Sequence, residues 1–116
     1  MPKHHKPVRI LAIDPGIRGM GFAVFEGENL IRYGVKNLGK QKLPEKILTK
    51  GKEVIHDLIQ RFSPGVLVLG KITHPTNKKN PVLRKLVSHI KRIARKRRIK
   101  ISKTTIVCKL GEIPNG

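Results

Sequence analysis

The stretch VRILAIDPG, residues 8 to 16, constrains this chain more than any other. From Val8 to Ile13 it is nearly all apolar, which suits a strand covered on both faces and therefore one in the middle of a sheet. Asp14, Pro15 and Gly16 then supply turn chemistry, so the strand ends on a carboxylate.

The rest of the chain can be read outward from that strand. GMGFAVFEG, residues 19 to 27, reads as a second strand whose glycines allow close backbone approach. Gly27 to Asn29 make a tight link to a third, LIRYGVKNL. These three strands are expected to form an antiparallel meander. Pro44 can sit in the first turn of a helix, in which Ile47, Val54, Ile55, Leu58 and Phe62 recur at helical spacing until Ser63, Pro64 and Gly65 stop it. Gly51 weakens the middle of that helix. VLVL, residues 66 to 69, is a short apolar run that reads as a buried fourth strand, followed by the polar loop THPTNKKNP. Asn80 and Pro81 are a good cap and first position for a second helix, with Leu83, Leu86, Val87, Ile90, Ile93 and Ala94 on one apolar face. IKISKTTIVC, residues 99 to 108, has the alternation and β-branching of a fifth strand. The expectation is an α/β fold with the order β-β-β-α-β-α-β and a mixed sheet, which resembles the RNase H-like order. Residues 1 to 7, rich in Pro, His and Lys, are expected to form a flexible basic arm. Residues 8 to 116 are expected to form a single domain.

Charge narrows the function. Lys and Arg number 26 against 7 Asp and Glu, a formal charge of +19, which repels itself unless a polyanion or counterions offset it. Nucleic acid is the expected partner. The competing readings are surface charge scattered without a partner and a membrane surface. The second needs a basic helix with a free apolar face, whereas the basic helix here needs that face for its core. No membrane partner is expected. Phe22, Phe25, Tyr33 and Phe62 are the only aromatic residues, so phosphate contacts rather than base stacking should dominate binding. Cys108 is the single cysteine, which excludes an internal disulfide and a cysteine zinc cluster. With no secretory leader pattern at the start, this fits a cytoplasmic protein.

Two features carry candidate chemistry. The first is ILAIDPGIRGMGFAVF, in which an apolar strand delivers Asp14 to a rigid edge. Asp14 either closes a β-turn through its own side chain or serves as an oxygen ligand to Mg²⁺ beside phosphate oxygens. The second is the basic run Arg84, Lys85, Lys91, Arg92, Arg95 and Lys96, continued by Arg97, Arg98 and Lys100. On a helix, many of these residues point outward together and can follow a phosphate backbone. The alternative is a solvated polar face. Lys71, Lys78 and Lys79 in the preceding loop would extend the patch. His4, His5, His56, His74 and His89 form no HxxxH pair and are read as surface or core-edge residues.

IDPGIRGMGFAVF resembles the opening motif of RuvC-type Holliday-junction resolvases in the RNase H-like superfamily. The likeness covers residues 8 to 25 well, is supported by PGVLVLGKI at 64 to 72, and continues in element order to about residue 104. The resemblance implies a homodimeric endodeoxyribonuclease that cuts branched DNA in recombination and repair by hydrolysis with Mg²⁺ (or Mn²⁺). It makes Asp14 the first metal ligand and catalytic carboxylate, and sets Arg18 where it can touch a phosphate. The family's fourth strand ends in a catalytic Glu where this chain has Gly70, and the family draws further carboxylates from a late helix for which residues after Thr104 give no signal. The C-terminal helices are therefore expected to be missing, with Glu112 the one late acid. Two ions clamping the attacking and leaving oxygens need several converging carboxylates. A noncatalytic nucleic-acid-binding module on the same fold is thus the alternative reading. A nucleotide-binding ATPase of the actin or sugar-kinase kind also places an Asp before glycines after its first strand, but such proteins are much longer and rarely so basic.

Overall fold

The structure, a computed structural model, describes residues 7–38, 43–70 and 80–102. Its elements are β1 (Arg9–Asp14), β2 (Gly19–Glu26), β3 (Asn29–Asn37), α1 (Pro44–Phe62), β4 (Val66–Leu69), α2 (Pro81–Lys96) and β5 (Lys100–Ser102). The sheet order is β3-β2-β1-β4-β5. The first three strands form the expected antiparallel meander, and β4 and β5 add parallel to β1 and to each other through the two helical crossovers. This is an α/β mixed sheet of RNase H-like order, with the VRILAI strand at its centre. The expected arm lies outside the described residues except for Pro7, as do the loop residues 71–79 and everything beyond Ser102. The described part of the fifth strand is therefore only Lys100–Ser102 of the expected 99 to 108.

Alternation along the strands explains the run of apolar residues in β1. Leu11 and Ile13 point to one face, where with Met20, Phe22, Val24, Leu67 and Leu69 they meet Ile55, Leu58 and Phe62 of α1 and Leu83, Leu86, Ile90 and Ala94 of α2. Ile10, Ala12 and Asp14 point the other way. There Ala12, Ala23 and Val68 form a smaller cluster edged by Ile10, Phe25, Leu30 and Val66. Both faces of β1 are apolar because both are packed. Full burial of each large side chain on the helical side contributes about 1.5–3 kcal/mol. No helix among the described residues is long and apolar enough to cross a membrane.

The ends are secured by local bonds. The Asn80 side chain accepts from the amides of Val82 and Leu83 at 2.9 and 3.1 Å, capping α2 ahead of Pro81. α1 stops at Ser63, whose left-handed backbone (φ 46°) returns its amide to the Ile59 carbonyl. Arg9 donates to the Phe62 carbonyl and to Glu26, both at 2.9 Å, tying the start of β1 to the end of α1 and to β2.

Gly51, a weak point in α1 by propensity alone, has a packing reason. A Cβ there would lie 2.6 Å from Leu86 Cδ1, so the two helices touch where α1 has no side chain. Leu86 is fully buried and has little room to withdraw. Gly51→Val should destabilise the protein by about 1–3 kcal/mol in urea unfolding. The double variant Gly51→Val/Leu86→Ala should lose less than the sum of its single changes; strict additivity would show that the contact is not what excludes a side chain.

Candidate functional site

Asp14 is the last residue of β1 and points to the face of the sheet opposite the helices. Its neighbours are unusual for what they lack. Its partner on β2 is Gly21, where a Cβ would sit 3.4 Å from Asp14 Cβ. On the other side β4 ends at Leu69, paired with Ile13, and the Gly70 amide donates to the Ile13 carbonyl at 2.8 Å. The carboxylate is thus flanked by two positions without side chains. The turn beyond it is tight, since a Cβ on Gly16 would run into the Gly19 carbonyl oxygen. Arg18 follows in the same turn, its side chain exposed and its carbonyl accepting from the Leu38 amide at 3.0 Å.

Asp14 is open to solvent on one side, yet desolvation against the end of the sheet raises its carboxyl above the ordinary carboxylate value. Among the described residues no cation pairs with it. The other acids are engaged elsewhere or stand apart: Glu26 pairs with Arg9 at 2.9 Å and Glu53 with Lys50 at 3.9 Å. Among the described residues no three His, Cys, Asp or Glu side chains converge. That donor set suits one hard divalent cation held by a single carboxylate together with phosphate oxygens. It does not suit a pair of ions. Glu112, the late acid, lies outside the described residues.

The basic run does not form one row. Spacings of three and four residues place Lys85, Arg92 and Lys96 on the flank of α2 that faces α1, and Arg84, Lys91 and Arg95 on the opposite flank. Ile90, Leu86 and Leu83 separate the two flanks on the core side. The first flank meets Lys52 and His56 of α1, and these two with His89, Arg92, Ile93, Lys96 and Arg97 line a groove of about 280 Å³. His89 is half-buried in its wall and held below the ordinary imidazole value, first by desolvation and then by Lys52, Arg92 and Lys85. The division into flanks was legible from helical spacing. The contribution of Lys52 and His56 was not, because only the packing of α1 on α2 brings them there. Lys71, Lys78 and Lys79 lie outside the described residues.

The raised Asp14 carboxyl makes a sign-definite prediction. A folded-state value above the unfolded one means that the ionised form is disfavoured by folding. The associated stability is therefore present below the ordinary carboxylate range and lost as pH rises through the raised value. Asp14→Asn should melt higher than the parent at neutral pH, and the difference should vanish in acid. A variant that melts lower at neutral pH would mean that Asp14 is held by favourable contacts instead.

No protein-family model matches the chain, and no curated protein matches it in sequence. Solved structures do. Thermus thermophilus RuvC is similar over 84% of this chain and 63% of its own, at 14% identity and a TM-score of 0.66. The same protein in complex with a Holliday junction substrate matches over 86% and 63%, at 16% identity and a TM-score of 0.68. The yeast mitochondrial Holliday junction resolvase Ydc2 matches over 85% and 53%, at 16% identity and a TM-score of 0.60. This chain thus spans less than two thirds of the length of each. At such identities the likeness is one of backbone: the chain has the fold of RuvC-type junction resolvases.

Proposed function

We propose that this chain is a resolvase-type protein that binds branched DNA through phosphate contacts, and that the strand-end turn with Asp14 and Arg18 is where a DNA strand approaches. The observation that carries this reading is the position of Asp14 at the end of the central strand of a RuvC-type fold, in a chain of charge +19. One structural neighbour is RuvC in complex with a Holliday junction substrate, which supports a branched partner. Mg²⁺ (or Mn²⁺) would be held by Asp14 and the phosphate itself, supplying charge neutralisation at the phosphodiester. Arg18 would hold the strand from the turn, and the exposed flanks of α2 would hold phosphates farther away. Two copies of the chain would present two strand-end carboxylates to one junction.

The second reading is hydrolysis, as in a crossover-junction endodeoxyribonuclease. Asp14 favours it, and Gly70 and Gly21 on either side weigh against it, since neither supplies a carboxylate. Binding without cutting is the function that the described residues support best. The discriminating experiment is incubation of a labelled four-way DNA junction with the chain in Mg²⁺ and in Mn²⁺, beside Asp14→Asn and Gly70→Glu. Salt-sensitive binding with no cutting by the parent is the expected result. Cutting that Asp14→Asn abolishes would establish the nuclease reading, and absence of binding to any DNA would overturn both.

The outer flank of α2 makes a separate prediction. Lys91→Ala and Arg95→Ala should each weaken binding to all DNA sequences alike and reduce the slope of log affinity against log salt by about 1. Equal weakening by alanine at unrelated exposed lysines, such as Lys46, would mean that charge acts diffusely rather than through this helix.

A further inference from the structure

The groove between α1 and α2 has a composition that core packing does not require. Its described lining holds four permanent cations, Lys52, Arg92, Lys96 and Arg97, and two imidazoles, His56 and His89, with Ile93 as its one apolar residue. Among the described residues no carboxylate lines it. Glu53 and Asp57 are neighbours of Lys52 and His56 along α1, but both are exposed and neither reaches the groove, and Glu53 pairs with Lys50. A helix C-terminus attracts cations, which accounts for Lys96 and Arg97 at the end of α2. It does not account for Lys52, His56, His89 or Arg92, which stand a turn or more earlier on their helices.

We infer that this groove is a second nucleic-acid site, separate from the strand-end turn, which holds the phosphate backbone of a DNA segment and tightens as His89 takes up a proton. The inference rests on the reading of the chain as a DNA-binding protein. Its location follows from the chain path. Arg97, at the end of the groove, leads to Lys100, whose amide donates to the Gly65 carbonyl, while the Gly65 amide donates to the Arg9 carbonyl at the start of β1. Asp14 stands at the other end of β1, roughly 17 Å away at about 3.3 Å per residue, and on the opposite face of the sheet. One phosphate cannot serve both places, so the two sites take different segments.

Charge complementarity selects the occupant. Crowded cations without a partner hold one another in an unfavourable state, which a polyanion relieves by releasing its own counterions. The same crowding disfavours docking of a second copy of this face. His89 reports the crowding, since partial burial and then Lys52, Arg92 and Lys85 hold it below the ordinary imidazole value. His56 faces the same set from α1, with Lys52 on its own helix and Arg92, Lys96 and Arg97 across the groove. A bound phosphate favours the charged form of the His89 imidazole, so binding takes up a proton there and affinity rises as pH falls.

The test follows the imidazole signals of His56 and His89 by NMR in the full chain during titration with a duplex DNA, alongside affinity measured between about pH 8 and pH 6. Shifts of both imidazoles on binding, with affinity that increases on acidification, are expected. Lys52→Gln/Arg92→Gln/Lys96→Gln should lower the salt slope by about 2 to 3, and His89→Gln should flatten the pH dependence. Arg84→Gln/Lys91→Gln/Arg95→Gln, which removes the same charge from the other flank, should weaken binding but leave the pH dependence and the imidazole shifts in place. DNA binding that leaves both imidazoles unmoved overturns the groove while the proposed function stands. Absence of any DNA binding overturns both, and a self-association that the groove variant abolishes makes the face an interface between copies instead.

Discussion

The parallel pairing of β1 with β4 is the constraint on which the rest of the molecule depends. It joins Ile10 through Ile13 to Val66 through Leu69 across half the chain. Parallel neighbours cannot be joined by a tight turn, so α1 must cross over one face, and α2 must do the same to bring β5 beside β4. Together with the parallel pairing of β5 on β4, the pairing of β1 with β4 sets the helical layer and the close approach of Gly51 to Leu86, and by itself it sets the position of Gly70 beside the end of β1. Asp14 owes its place to it as well, because an aspartate at the end of an edge strand would have only one neighbour.

Polar chemistry is unevenly distributed on this frame. Among the described residues the sheet end carries one carboxylate between two glycines, a spare arrangement that leaves room for a large anion but offers few ligands for metal. The helical layer carries the reverse, with cations on both exposed flanks of α2 and on the facing side of α1. The opposite end of β1 is purely structural, since Arg9 spends its donors on Phe62 and Glu26. Not every basic residue in so basic a chain is available to a ligand.

Much of the fold was legible in sequence, and for identifiable reasons. The apolar run of β1, the proline and asparagine that open the helices, and the turn after Phe62 are local signals whose physics does not depend on the rest of the chain. Asp14 was legible as a strand-end carboxylate for the same reason. What could not be read was pairwise. Helical spacing separates the α2 residues into two flanks, but nothing in the order of residues says that Lys52 and His56 will face one of them. Gly51 looked like a defect in propensity until the neighbouring helix supplied Leu86. The absence of a side chain at position 70 was plain, whereas its adjacency to Asp14 rests on strand register.

The two charged flanks of α2 also bear on how the chain reaches its native state. Lys91 and Arg95, and Arg92 and Lys96, lie four residues apart, so in an isolated helix they stack like charges on successive turns. Such a segment gains little helicity by itself and is held helical by the apolar face that α1 and the sheet cover. Compaction thus gathers positive charge, and any multivalent anion that binds the compact form better than the extended one favours folding by mass action. A ligand of this protein would in that sense act as a counterion that favours assembly as well as an object of recognition.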